Sequence, residues 1–536
     1  MHAAAITFFL ALTSPLAVDT LVVTPPLFEQ ALQPWIEHRQ KQGHEIAVVR
    51  AADDAETIRN RLRSAAEGAA VKFVLLVGDH DWIGREDEAY RRRALPTFYE
   101  TSKVVVHYGS QKTIASDHRF GDLNDDGVPE VAVGRIAVDS PEELTSVIDK
   151  IIAYERSVDD GWQRKIHFIA GASGIGPLAD TAIEGATRTL LRDHIPSGFA
   201  TTMTYANWQS PYCPDPAEFR ATAIRRFNEG GLFWVYLGHG HVQLVDLFEV
   251  PGDRHPVFDV HAMPRLQRQS SSPIAMFFAC YTGAFDARND CLAEEMLKAP
   301  GGPAAVVAAT RVTMPYAMSV LGLAMMDEYF RHRCTTIGEL LLAAKRNSVL
   351  GPRTDPRSQM LDGMAKLLNP FGPDLADERR EHLLLFHLLG DPLLRLPHCA
   401  EAQLAVPERV EAGRWLEVAG AAPIDGPAEV DLAVRRDRFN HEFPTRAEFA
   451  TSDAARAEFQ KVYNEANEQR LSRQLVSVIG GKFQTRLWVP ADAKGECHVR
   501  VYVAGQNRSA IGSRDVQVIG ATTRITSNAE SAPKAR

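Results

Sequence analysis

At 536 residues the chain exceeds the usual size of one hydrophobic core, so about two or three domains are expected and no small-fold staples are needed. A net charge of -9, a pI near 6.1 and the lack of a long Lys/Arg block argue against nucleic acid as the main partner. The six cysteines, Cys213, Cys280, Cys291, Cys334, Cys399 and Cys497, form no CxxC pairs, so neither a zinc ribbon nor a disulfide framework follows.

The first residues, MHAAAITFFLALTSPLA, have an apolar core of signal-peptide length and small residues near Ala17, although no Lys or Arg opens them. Residues 1–18 are read as a signal peptide, which makes the protein secreted or extracytoplasmic. No later run is apolar for long enough to span a membrane. From Asp19, strand and helix patterns alternate: DTLVVTPP, FEQALQPWIEHRQKQG, HEIAVVR, DAETIRNRLRSAAEG and VKFVLLVGD. That is the spacing of parallel β-α-β units. A loop from Tyr108 to Gly127 leads to the strand PEVAVGRI and to a helix with Ser140 as cap and Pro141 just inside. These elements make an N-terminal α/β subdomain over residues 19–160, closed by a turn at Asp159-Asp160-Gly161.

The pattern restarts at RKIHFIAGAS and continues through helices at about Asp180–Arg192 and Asp215–Glu229. GASGIG, residues 171–176, has no phosphate-binding lysine and reads as a strand-to-helix turn. Two apolar strands follow, then the helix CLAEEMLKA, the strand GPAAVVAAT and two further helices. LLLFHLLGDPLLRLP closes the region as an apolar helix, a turn at Gly390-Asp391-Pro392 and a short strand. Residues 161–398 thus form the second α/β subdomain. Short alternating segments from RWLEVAG to SRDVQVIG then have the spacing of an antiparallel sandwich over 399–525, interrupted by the charged insertion TSDAARAEFQKVYNEANEQR. Residues 526–536 are a polar tail.

The two strands in the middle carry the chemistry. LFWVYLGHG places His239 at the end of one, and PIAMFFACYTG places Cys280 at the end of the next. Alone, His239 reads as a turn residue between glycines and Cys280 as a buried core thiol. Together they sit at the strand ends where parallel sheets bind ligands, an imidazole base beside a thiol nucleophile. The expected reaction is acyl transfer through a thioester, with backbone N–H groups of Gly240 and Cys280 as oxyanion donors. Gly240 is expected to let the backbone approach a substrate carbonyl. His241 shares a strand face with His239 and is a candidate pocket modifier. Asp246, Asp180 and Glu184 are candidates to orient the imidazole, and Cys291 reads as structural.

This succession of motifs resembles the gingipain-type cysteine peptidases. The resemblance is carried by LVVTPPLFEQALQPWIEHRQKQG, SDHRFGDLNDDGVPEVAVGRI, YLGHGH, FFACYTGAFD and FHLLGDPLLRLP, and it spans roughly Asp19 to Pro397. It implies a catalytic dyad of His239 and Cys280. It also implies a caspase-like three-layer catalytic unit of two subdomains followed by an immunoglobulin-like β-sandwich, and cleavage of peptide or protein substrates after a selected, basic side chain. Arginine and lysine stay open. Two departures stand out: His241 occupies a place where many relatives have a small hydroxyl residue, and no long propeptide lies between the expected signal and the first strand. Ligation or transpeptidation at the same dyad, and a non-catalytic adhesion protein on a peptidase scaffold, are the rival readings.

In DLNDDGVPE, Asp122, Asn124 and Asp126 alternate before Gly127, with Glu130 nearby. Their oxygens suit a hard cation, calcium, in a structural role. Val133 stands where an EF-hand needs its last acidic ligand, so an Asx-rich turn competes with that reading. No cofactor is required for the chemistry.

Overall fold

Runs such as FVLLV, FWVYL, IAMFF and AVVAA are apolar at every position, and in the computed structural model they are strands buried on both faces. The structure describes residues 18–520 apart from residue 53 and residues 81–87, 173–192, 268–270, 370–371, 440 and 506–507. The expected signal peptide up to residue 17, the polar tail, and Asp180 and Glu184 lie outside the described residues. Among the described residues no helix is long and apolar enough to cross a membrane.

Ten strands form one sheet: β1 (Thr20–Thr24), β2 (Ile46–Arg50), β3 (Phe73–Val77), β4 (Ala132–Ile136), β5 (Lys165–Ala170), β6 (Ala200–Tyr205), β7 (Phe233–Leu237), β8 (Ile274–Phe278), β9 (Ala305–Ala309) and β10 (Phe386–Gly390). Their order across the sheet is β2-β1-β3-β4-β10-β9-β8-β7-β5-β6. Every neighbouring pair is parallel except β9 with β10. The sheet is therefore two parallel halves that run in opposite directions and meet at one antiparallel seam. The two α/β subdomains read from the sequence share this sheet, because β10 returns the chain to the first half. Helices α1 (Glu29–Lys41), α2 (Ala55–Ala66) and α3 (Pro141–Glu155) follow strands of that half. In β1, Val22 joins the core that includes Leu32 and Trp35 of α1, whereas Leu21 and Val23 join the core that includes Ile58 and Leu62 of α2. Alternate residues thus bury opposite faces, which makes three layers.

One expected helix is a strand. FHLLG forms β10, hydrogen-bonded between β4 and β9 and buried at every residue. A short apolar run has no periodicity to separate helix from buried strand, and the vacancy between two open strand edges decides it. The loop expected from Tyr108 contains a short strand, Thr113–Ser116, paired with Phe98–Thr101.

Beyond Pro397 a six-stranded and a three-stranded sheet enclose a separate core that includes Val430, Leu432, Val499, Leu416 and Leu487. The charged insertion is a helix, Asp453–Asn467, and it covers the edge of the large sheet. Asn467 accepts from Met203 N at 2.7 Å and donates to Met203 O at 3.0 Å, so its side-chain amide takes the place of a neighbouring strand on β6. Tyr463 adds a hydrogen bond to Thr204, and Tyr502 donates to Asp159, docking the C-terminal unit on the α/β unit.

Candidate active site

Strands β7 and β8 are parallel and in register, with Leu237 opposite Phe278. The chain leaves both at one level, and two residues later stand His239, exposed, and Cys280, half-buried. The two loops interlock through glycines. Gly238 has φ +151° and its N–H donates to Phe278 O at 3.3 Å. A side chain on Gly240 would meet Cys280 O at 2.4 Å and Ala279 Cβ at 2.9 Å. The room that glycine provides at position 240 is thus filled by the Cys280 peptide, where the sequence reading expected a substrate carbonyl. Gly240 is buried between exposed His239 and His241.

Tyr281, directly after Cys280, has φ +58°, a conformation that costs a non-glycine residue roughly 1–3 kcal/mol. It is held there by surrounding bonds: Tyr281 N donates to Arg311 O at 3.2 Å and Gly283 N to Ala309 O at 2.9 Å. Arg311, 2% exposed, pairs bidentately with Asp286 at 2.8 and 2.6 Å and donates to Thr113 O, closing the loop from behind. Beyond β9, Thr313 N donates to Cys280 Sγ at 3.3 Å, and Thr313 Oγ1 lies 3.5 Å from the sulfur. Sequence reading missed Thr313. The available signal was that GPAAVVAAT is the next parallel strand, in register with β8 through Ala275 opposite Val306, so that its following loop ends beside Cys280.

Beneath His239, Tyr236 donates to His239 O at 2.9 Å. Burial, and then the charges of Asp246 and Cys280, push the Tyr236 hydroxyl far above its usual range. Asp246 faces the same spot, since a side chain on Gly171 would meet both Tyr236 Oη at 2.5 Å and Asp246 Oδ2 at 2.9 Å. Burial raises the Asp246 carboxyl, against the opposing pull of His239 and a hydrogen bond from Leu247 N. Its Oδ2 is buried and makes no hydrogen bond of good geometry among the described residues. Cys291 is buried and caps the helix Leu292–Lys298, the structural role read from the sequence.

Among the described residues two acidic clusters can coordinate a divalent cation. In the first, oxygens of Asp122, Asp126 and Glu130 lie within 4.8 Å of one another. Asp122 Oδ2 accepts from Gly127 N at 3.0 Å, while its Oδ1 is buried with no hydrogen-bond partner among the described residues, an arrangement that fits a hard cation. Asn124 adjoins this cluster: its Nδ2 donates to Asp126 and its Oδ1 accepts from Asp126 N, which shapes the turn. In the second, Asp79, Asp139 and Asp290 converge from distant parts of the chain, beyond the reach of spacing arguments. Lys298 Nζ already sits among them, 2.5 Å from Asp290 and 3.0 Å from Asp139. Burial and the charge of Asp290 push neighbouring Glu294 up to about 7.

The model of peptidase family C25 matches residues 13–397. Gingipain R2 of Porphyromonas gingivalis is 26% identical over 323 residues, covering 58% of this chain and 39% of the relative. Lys-gingipain of the same organism is 25% identical over 297 residues, covering 52% of this chain and 15% of the relative. The chain thus spans less than half the length of these relatives. A crystal structure of the Arg-specific cysteine proteinase gingipain R superposes with a TM-score of 0.53 at 20% identity, covering 94% of this chain and 99% of the other, so the fold is shared. A structure of the pro- and mature domains of a P. gingivalis gingipain, RgpB, gives 0.52 at 19% identity over 94% of this chain and 100% of the other. The chain belongs to peptidase family C25, the gingipain-type cysteine peptidases.

Proposed function

We propose that the protein is an exported cysteine endopeptidase with Cys280 as nucleophile and His239 as its general base and acid. The observation that carries this reading is the register of β7 and β8, which brings the two residues to adjacent strand ends on interlocked loops. Sγ attacks the scissile carbonyl carbon, and the thiol proton passes to His239. The tetrahedral oxyanion is held by the N–H groups of Gly240 and Cys280. As the C–N bond breaks, His239 gives the proton to the leaving amine, and a thioester remains. Water then attacks the thioester, His239 takes its proton, and Sγ leaves with the proton returned.

Asp246 orients the imidazole from below, which supplies its buried Oδ2 with a donor. His241 lies at the pocket rim. The caspase-like unit comprises residues 19–160 and 161–398, and the two sheets beyond Pro397 form an immunoglobulin-like sandwich. Basic side chains at the cleavage site follow from the names of the relatives, one Arg-specific and one a Lys-gingipain.

A peptide-like electrophile is expected to label Cys280 stoichiometrically in the wild type and to lose that labelling in His239→Ala. Equal labelling of the two proteins would remove His239 from the mechanism. Calcium at Asp122, Asn124, Asp126 and Glu130 is expected to stabilise the fold by about 2.7 kcal/mol at a hundred times its dissociation constant. EDTA reverses this in thermal unfolding, and Asp122→Asn abolishes the response to either reagent.

A further inference from the structure

We propose that His382 is a positioning residue for the nucleophile: it clamps the Thr313–Met314 peptide from behind, so that the Thr313 N–H stays aimed at Cys280 Sγ. This rests on Cys280 being the nucleophile. The geometry is a relay of two successive amides on the loop beyond β9. Thr313 N donates to the sulfur at 3.3 Å, and Met314 N donates to His382 Nε2 at 2.8 Å. The other ring nitrogen, Nδ1, lies 2.7 Å from Glu378 O, one turn earlier on the helix Leu375–Leu385. A carbonyl oxygen can only accept, so Nδ1 carries the hydrogen and Nε2 offers its lone pair to Met314. The tautomer is fixed by these two partners.

His382 is 3% exposed, and burial holds its pKa down to about 4, so it stays a neutral acceptor across the neutral range. An imidazolium would present N–H to N–H and release the loop. The ring plane is fixed as well: His382 stacks on Phe386 at 6.3 Å and 28°, and Phe386 packs on Phe278 at 5.9 Å. Phe278 lies two residues before Cys280, so the clamp and the nucleophile are referenced to one aromatic column. The same helix also holds the element that follows the loop, since Glu378 accepts at 3.0 Å from Ala317 N in the first turn of the helix Pro315–Asp327.

An amide N–H facing the sulfur favours thiolate over thiol. Its effect is read most directly by iodoacetamide alkylation of Cys280 against pH, followed by peptide mass spectrometry so that the other cysteines do not interfere. In His382→Leu, which removes the acceptor, alkylation at neutral pH is expected to fall about tenfold and its midpoint to move upward. His382→Gln, whose amide oxygen can accept from Met314, is expected to stay within about threefold of the wild type. An ester in place of the Val312–Thr313 amide, introduced by nonsense suppression with an α-hydroxy acid, deletes only the N–H and is expected to reproduce the His382→Leu loss. That variant decides the matter if His382→Leu fails to fold. A folded His382→Leu protein whose alkylation profile superimposes on the wild type would overturn the proposal, and so would an ester variant that alkylates normally. A merely structural histidine would lower the unfolding midpoint and leave the profile in place. Alkylation needs no peptide substrate, so absence of peptide hydrolysis would count against the functional reading and leave the clamp standing.

Discussion

The two ends of the ten-stranded sheet hold different polar groups. Just past the ends of β10 and β4 lie two buried arginine–carboxylate pairs. Asp391, fully buried, accepts from Arg39 at 2.5 and 3.0 Å and from Trp35, and its other oxygen accepts from Leu393 N. Arg135 pairs bidentately with Asp117 at 2.7 Å on both contacts and donates to the Gly78 and Leu95 carbonyls. Because β9 opposes β10, the ends of β7, β8 and β9 lie at the other edge. There His239 is exposed, Asp246 Oδ2 makes no hydrogen bond of good geometry among the described residues and Tyr281 holds a left-handed conformation. One architecture thus holds tightly paired charges beside the ends of β10 and β4, and an exposed histidine and a strained tyrosine at the opposite edge.

Substitutions that separate the two edges test this contrast. Cys280→Ala is expected to lower peptide hydrolysis by more than about 10^4-fold while leaving the urea midpoint unchanged. Asp391→Ala should do the reverse. Arg39 keeps its pairing with Glu155 at 2.7 Å, but its Nε and the Trp35 N–H lose their buried acceptor, which costs about 1–3 kcal/mol in urea unfolding, with kcat/KM of the folded fraction within a few-fold of the wild type. A large loss of activity at full stability in that variant would erase the division of roles.

Asp246→Asn is expected to lower kcat/KM by about 10- to 100-fold without loss of stability. The sign follows from the raised carboxyl: the folded state holds that proton more tightly than the unfolded state, so ionising it costs stability above the folded pKa. Asparagine carries no such cost. The variant should equal or exceed the wild type in stability at neutral pH, and any gain should vanish as pH falls to the ordinary carboxylate range. A strong destabilisation would place Asp246 among the structural pairs instead.

The smallest effect concerns Lys345, buried near His118 and His387 and lowered by burial to about 7. Between pH 7 and the ordinary lysine range the unfolded chain binds the extra proton, so stability rises with pH, by at most about 1.4 kcal/mol per unit. Lys345→Met is expected to flatten that slope in urea titrations at pH 7 and pH 9. An unchanged slope would show that the buried ammonium does not govern it.

Much of this was legible in the sequence. The apolar runs of β1, β3, β7, β8 and β9 announced a parallel sheet, and the glycine-flanked histidine and the cysteine after FFA stand, as expected, just past the ends of two neighbouring strands. β10 was not legible, because FHLLG becomes a strand only when β4 and β9 present edges on either side. Thr313, His382 and the Asp79, Asp139 and Asp290 cluster were hidden for a related reason: their contacts are set by topology across long stretches of chain. Gly240 was noticed for the right property and given the wrong neighbour, since its close contact is the Cys280 peptide.

The most direct test of the dyad is hydrolysis of a mixed peptide library, with calcium and reductant present, by the wild type beside Cys280→Ala, every cleavage being mapped by mass spectrometry. Cleavage after basic residues in the wild type alone is the predicted result. Cleavage that persists in Cys280→Ala, or a folded wild type with a reactive Cys280 that cuts no peptide, would contradict the account.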